Sequence, residues 1–311
     1  MTFKTFIKKV FHLFEQQIFL SKYKVNDYMY FTGNKLVIKK YKTIIMYFPD
    51  YEFMHYGDHL FFEPLARVLD NNFIFKIYPI KDMEFYFKEL GYNIATDKDL
   101  DDCDLIITRK EFYSNLKNKK NVLYINLASL KIANHICDDL VEKVSNIFKI
   151  QKRPSNLKPQ ILKKPAKHFN FLDTKQKYVI YNNYIDSASY RLTKKNNTKL
   201  KDYCREFALK NNVKVIHVGS QEDKNNDKNY YDFIDIDLRG KTSIKDLFIL
   251  ASKKNIVNCI CYDSFIMHLF SIYNKKSFVI FRGRFTKIGQ NVIINNFNPP
   301  FKSCNDLIEM I

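Results

Sequence analysis

Tryptophan is absent from the 311 residues, glycine occurs only 7 times and proline 8 times. That poverty excludes a collagen-like or low-complexity chain, and 46% hydrophobic with 27% charged residues is the composition of a folded globular protein. No apolar run reaches the roughly 18 uninterrupted residues that a membrane-spanning helix needs. The start lacks the small-residue exit site of a cleavable signal, so the expectation is a chain kept in the cytosol. The six cysteines (Cys103, Cys137, Cys204, Cys259, Cys261 and Cys304) are scattered in apolar surroundings. They have neither a paired zinc spacing nor the density of a secreted disulfide framework, and read as reduced core residues.

Negative charge is also scarce. Lys and Arg number 51 against 33 Asp and Glu, a formal charge of +18, yet only 8 of the 51 are arginine. Lysine in such excess, with abundant Asn, Ile, Tyr and Phe, is the usage of an A/T-rich coding sequence, which weakens the charge as a sign of nucleic-acid binding. No nucleic-acid-binding module is recognisable either. A basic surface still concentrates phosphorylated ligands and anionic lipid headgroups.

Residues 1–41 open with Phe3, Phe6, Ile7, Val10, Phe11, Phe14 and Ile18 at helical spacing, with Lys4, Lys8 and Lys9 on the opposite side. This amphipathic helix either packs on the body of the protein or rests on an anionic membrane surface. A hairpin is expected between Tyr30-Phe31 and residues 35–38. From residue 42 to 150, apolar strands near 42–48, 73–78, 104–107 and 121–125 alternate with helices at 59–69, 83–90 and 130–148. Residues 151–168 carry Pro154, Pro159 and Pro165 among lysines and read as a linker. The alternation restarts in 169–311, with strands near 177–181, 213–218, 233–236, 256–261 and 277–281 and helices at 200–210, 243–252 and 264–273. Two doubly wound α/β domains with parallel sheets are therefore expected, facing a cleft beyond the carboxyl ends of their strands.

Three of these strand-to-helix junctions carry polar residues. At Gly57-Asp58 the acid either caps the following helix or acts as a general base, with the glycine allowing close backbone approach to a ligand. At Arg239-Gly240-Lys241-Thr242-Ser243, Thr242 or Ser243 can cap a helix whose free N–H groups hold an anion, and Lys241 adds a charge. The Gly-x-x-x-x-Gly-Lys spacing of a P-loop is missing, which excludes that NTPase class. At Asp263-Ser264, a helix would place His268 one turn in; taken alone, this is a cap and a buried histidine. Asp235-Ile236-Asp237 has the acid-x-acid form that metal-dependent transferases use, and a strand would set both carboxylates on one face.

In order and spacing, Gly57-Asp58 with Pro64-Leu65, Gly240-Lys241-Thr242-Ser243-Ile244, and Asp263-Ser264 with Met267-His268-Leu269 resemble the family-9 glycosyltransferases, the group of the lipopolysaccharide heptosyltransferases. The resemblance runs from about residue 42 to 283. It departs at Phe265 and Ile266, where the family has glycine and proline, and at Tyr262, usually asparagine. A hydroxyl residue and a cation four positions on, Ser187 and Arg191, match a further family element that holds donor phosphates.

The resemblance implies a GT-B fold and an inverting, metal-independent transfer of a sugar, heptose first, from a nucleotide-sugar donor such as ADP-heptose. The acceptor would be a lipopolysaccharide-core or capsule saccharide, lipid-linked at the inner face of the inner membrane. Asp58 would be the base, and Gly57, Ser187, Arg191, Lys241, Thr242, Asp263, Ser264 and His268 would bind the donor, with no cofactor and no metal. A catalytically silent carbohydrate- or nucleotide-binding protein of the same fold is the alternative; a basic nucleic-acid-binding protein leaves the ordered motifs unexplained.

Overall fold

The structure, a computed structural model, describes residues 21–26, 29–33, 41–49, 55–109, 116, 119, 121–126, 136–151, 153, 154, 157–162, 169, 171–184, 194–227, 231–262, 264–280 and 308–310. The chain divides into two compact units. One comprises Met1–Lys131 with Asp139–Ser155, the other Ile132–Asp138 with Asn156–Ile311.

The first unit holds a six-stranded sheet. Its strands are β1 (Lys24–Asn26), β2 (Met29–Phe31), β3 (Thr43–Tyr47), β4 (Ile74–Tyr78), β5 (Leu105–Arg109) and β6 (Val122–Ile125), in the spatial order β1-β2-β6-β5-β3-β4. β3 to β6 run parallel, with Ile45 opposite Ile106 and Ile44 opposite Phe75. The centres of β3, β5 and β6 are buried throughout, as expected of apolar runs covered on both faces, while edge strand β4 alternates. β2 joins β6 antiparallel through Tyr30 and Tyr124, and pairs β1 on its other side. Both edges of β2 are thus filled by β1 and β6; residues 35–38, the expected second arm of a hairpin with Tyr30-Phe31, lie outside the described residues. Helix α1 (Tyr56–Asp70) follows β3 and buries Leu60, Phe61, Phe62, Leu65, Val68 and Leu69. The Phe62 ring meets that of Phe48 at 4.7 Å between centroids. Each such buried ring contributes about 1.5–3 kcal/mol of transfer free energy. Short helices α2 (Glu84–Glu89) and α3 (Asp99–Asp102), a 3-10 turn at Lys81–Met83 and most of the longer α4 (Ile136–Phe148), from Asp139 on, belong to this unit.

The second unit holds β7 (Tyr178–Asn182), β8 (Lys214–His217), β9 (Ile236–Asp237), β10 (Ile256–Tyr262), β11 (Lys276–Ile280) and β12 (Ile308–Met310), with α5 (Lys194–Asn211), α6 (Gln221–Asn226), α7 (Ile244–Ser252) and α8 (Phe265–Ile272) between strands. The spatial order is β12-β11-β10-β7-β8-β9, and every pairing is parallel. Counted from β7, this is the 3-2-1-4-5-6 order of a doubly wound nucleotide-binding fold, whose order reverses between β7 and β10. Of the segment expected to be a linker, residues 157–162 lie along this unit: Leu162 is buried and its N–H donates to the Tyr273 hydroxyl at 3.3 Å. Cys137, Cys204, Cys259 and Cys261 are free and buried, Cys103 is free and half-buried, and Cys304 lies outside the described residues. Among the described residues no helix is long and apolar enough to cross a membrane. The amphipathic helix expected in residues 1–20 lies outside the described residues.

Candidate active site

In the first unit the order of strands reverses between the neighbours β3 and β5, and it is beyond the carboxyl ends of strands at such a reversal that open α/β sheets bind ligands. β3 leads to α1, whose third residue is Asp58; β5 ends on Arg109. One carboxylate oxygen of Asp58, Oδ2, accepts the His55 N–H at 3.0 Å. The same oxygen accepts Arg109 Nη1 at 2.5 Å, with both side chains mostly buried. The cap and the chemistry weighed as alternatives for Asp58 are therefore compatible: the carboxylate does cap α1, and through one oxygen. Gly57, second in the helix, is buried and is not among the glycines with positive φ, so its backbone conformation is one that other residues adopt.

Behind Asp58, α1 presents a buried polar stripe. His59 sits with Nδ1 at 3.1 Å from the His55 carbonyl and accepts the Ile80 N–H on Nε2 at 3.3 Å. Those partners fix the neutral imidazole with its proton on Nδ1. Burial, with the nearby Arg109 charge contributing, pushes its pKa down to about 4 against the upward pull of the His55 carbonyl. One turn on, the fully buried Glu63 accepts the Tyr92 hydroxyl at 2.8 Å and lies 3.7 Å from Arg67.

In the second unit four of the predicted donor residues, Lys241, Thr242, Ser264 and His268, lie at or near the starts of α7 and α8. Gly240 has φ +69, and a side chain there would run into Gln221, so this turn does demand glycine. Lys241 follows, exposed. The cap of α7 is Ser243, not Thr242: Ser243 Oγ accepts the Asp246 N–H at 3.2 Å, and Asp246 returns the bond to the Ser243 N–H at 2.9 Å. Ser264 is the N-cap of α8 but makes no side-chain cap, and its Oγ is buried without a partner among the described residues. The first N–H groups of α8 are therefore not taken by their own cap. His268, fourth in α8, is buried. Phe265, where the family has glycine, packs its ring 6.0 Å from that of Phe248 and ties α8 to α7. Tyr262 donates to Asn197 Oδ1 at 3.2 Å, joining the end of β10 to α5. Asp263, Ser187 and Arg191 lie outside the described residues.

A buried polar network at the carboxyl ends of β7, β8 and β9 was not anticipated from the sequence. His217 Nε2 meets Asn183 Oδ1 at 2.9 Å, Asn183 Nδ2 donates to Asp227 Oδ2 at 3.0 Å, and the Tyr231 hydroxyl donates to the same oxygen. Arg239, almost fully buried, donates to both oxygens of Asp237 at 3.0 and 2.9 Å and to the Asp227 carbonyl at 2.7 Å. Although desolvation pushes the Asp237 carboxyl up, the hydrogen bonds and charge of Arg239 outweigh it and hold the pKa at about 2. Burial, then the Arg239 charge, lowers that of His217 to about 3. The acid-x-acid pair is thereby accounted for: Asp237 is forked by Arg239, and Asp235 Oδ2 accepts the Val215 N–H at 2.8 Å. Among the described residues, no group of three or more His, Cys, Asp or Glu side chains is arranged to hold a metal ion.

No protein-family model matches the chain, and no curated protein matches it in sequence. Solved structures do match in shape. The glycosyl transferase family 9 protein of Veillonella parvula superposes with a TM-score of 0.61 at 11% identity, over 90% of this chain and 88% of that one. E. coli ADP-heptose lps heptosyltransferase II does so at 0.56 and 12%, over 87% and 90%. E. coli heptosyltransferase WaaC with ADP-2-deoxy-2-fluoro heptose gives 0.50 and 9%, over 87% and 92%. Likeness at such identity establishes the fold alone, the GT-B fold with two Rossmann-like α/β units.

Proposed function

We propose that this chain is an inverting glycosyltransferase that moves a sugar from a nucleotide-sugar donor to a saccharide acceptor, with Asp58 as the base. The observation that carries the reading is the Asp58 carboxylate, set at the reversal point of the first sheet and held through a single oxygen. Transfer requires the acceptor hydroxyl to lose its proton as its oxygen bonds to the anomeric carbon. The bond from that carbon to the donor phosphate oxygen breaks, and the departing nucleotide keeps the electron pair. A fixed carboxylate takes the proton. The negative charge building on the nucleotide needs donors, for which the uncapped start of α8 at Ser264 and the lysine before α7, Lys241, are suited. His268, Thr242, Asp263, Ser187 and Arg191 complete the proposed donor set, and Gly57 lies beside the base.

The named relatives of this shape include ADP-heptose enzymes, which makes ADP-heptose the first donor to try and a lipopolysaccharide-core or capsule saccharide the first acceptor. A panel of ADP-, GDP-, UDP- and CMP-sugars, read by thermal shift, tests the donor site: a matching donor raises the melting temperature, by about 2.7 kcal/mol of added stability at a hundredfold excess over Kd. With Asp235 and Asp237 both committed to protein donors, the transfer is proposed to run without a metal. Turnover unchanged by EDTA is the expected result; loss on chelation, restored by one divalent ion, contradicts it.

The Phe265 ring packed against Phe248 favours a second reading, a silent binding protein in which the phosphate turn is filled. That reading predicts that the panel gives at most a binding shift and no released nucleotide. A peripheral membrane role for residues 1–20 rests on their amphipathic spacing. Removing them is expected to weaken binding to vesicles containing phosphatidylglycerol, and unchanged binding rejects the role.

A further inference from the structure

We infer that Arg109 is a positioning residue for the transfer reaction, pinning Oδ2 of Asp58 so that Oδ1 is the oxygen turned to the acceptor hydroxyl. The inference rests on the reading of Asp58 as the base. Two donors reach the carboxylate from different elements, the His55 N–H from the helix cap and Arg109 Nη1 from the end of β5. Both converge on Oδ2, and neither touches Oδ1.

Arg109 is itself fixed. β5 is paired with β6 through Arg109 and Ile125. The preceding Thr108 is buried and donates its hydroxyl to the Tyr47 carbonyl at 2.7 Å, tying the end of β5 to that of β3. The second unit offers the contrast. Arg239 forks both oxygens of Asp237, so each carries a charged donor, which is the geometry of a structural pair. An end-on guanidinium on one oxygen holds the carboxylate in one orientation and leaves the other oxygen available. Positioning of this kind matters because a reacting hydroxyl has to meet its base at hydrogen-bond distance, and small displacements cost large factors in rate.

The test is steady-state turnover of the wild type, R109Q, R109K, D58N and the D58N/R109Q double variant. The probe is whichever nucleotide sugar of the panel, ADP-heptose first, the wild type turns over with deacylated lipopolysaccharide core. Rates are taken per folded protein after melting curves. R109Q is expected to lower kcat about 10- to 100-fold with the donor KM nearly unchanged, R109K to recover part of the loss, and R109Q to change the residual rate of D58N by less than about threefold. R109Q at the wild-type kcat while D58N is inactive overturns the inference and leaves the base in place. So does an R109Q effect of equal size in the D58N background, which means Arg109 acts elsewhere. D58N at the wild-type rate, or a wild type that turns over no donor of the panel, removes the reading itself and the inference with it.

Discussion

Asp58→Asn is expected to lower turnover about 10²- to 10⁴-fold while leaving donor affinity unchanged, because it removes the proton acceptor and little else. Asparagine is nearly the same size and keeps an oxygen that accepts the His55 N–H, so the start of α1 remains capped. The lost ion pair with Arg109 is mostly but not wholly buried, and a modest drop in melting temperature is the expected structural cost. The proposed donor residues, Lys241, Thr242, Ser264 and His268, belong to the other unit. Isothermal titration of the donor into wild type and variant, beside nucleotide release, separates the two effects. Equal turnover rejects Asp58 as the base, and lost donor binding assigns it to the ground-state complex instead.

Acid is expected to destabilise the protein progressively below about pH 6.5, because two buried histidines are held neutral. An unfolded His titrates near 6.5, whereas native His59 does so at about 4 and native His217 at about 3. Between those values the unfolded chain binds more protons than the native one, so stability falls as pH drops from 6.5 and the loss is complete once the native pKa is passed. For His59 the loss is about 3 kcal/mol, and it is somewhat larger for His217. Asp237 works in a lower window: its pKa is depressed from 3.8 to about 2, so the stability it contributes disappears only as pH falls through that range. Urea unfolding midpoints measured from pH 7 to 3 should decline steadily below 6.5, and H59Q should make the decline between 6.5 and 4 about half as steep, His217 supplying the remainder. A flat profile between pH 6.5 and 4 in the wild type contradicts the burial of these rings.

The same two histidines mark what the sequence could and could not convey. Strands β3 to β8, β10 and β11 and helices α1, α7 and α8 are runs whose apolar period reports burial directly, and periodicity placed them. The three-residue strands β1 and β12 are too short to have a period. Helix α5 begins at Lys194, earlier than the expected 200, because its first turns are Lys and Asn with no apolar stripe. Asp58 could be singled out because its glycine, its proline and the strand before it all lie within about twenty residues. Arg109 could not: it reaches Asp58 across 51 positions, and the one local sign was an arginine closing an apolar strand. The His217 network draws on residues 183, 227, 231, 237 and 239, which only the parallel order β7-β8-β9 brings together. Ser243 rather than Thr242 became the cap because the acid three residues on, Asp246, completes a reciprocal pair with it.

The most direct test of the central claim is the anomeric configuration of the product, read from proton NMR couplings once a donor and acceptor are turned over. A single displacement by a hydroxyl that Asp58 deprotonates predicts a product inverted relative to the donor. Retained configuration would contradict it, since retention requires two displacements or a front-face path that leaves Asp58 without the role assigned to it.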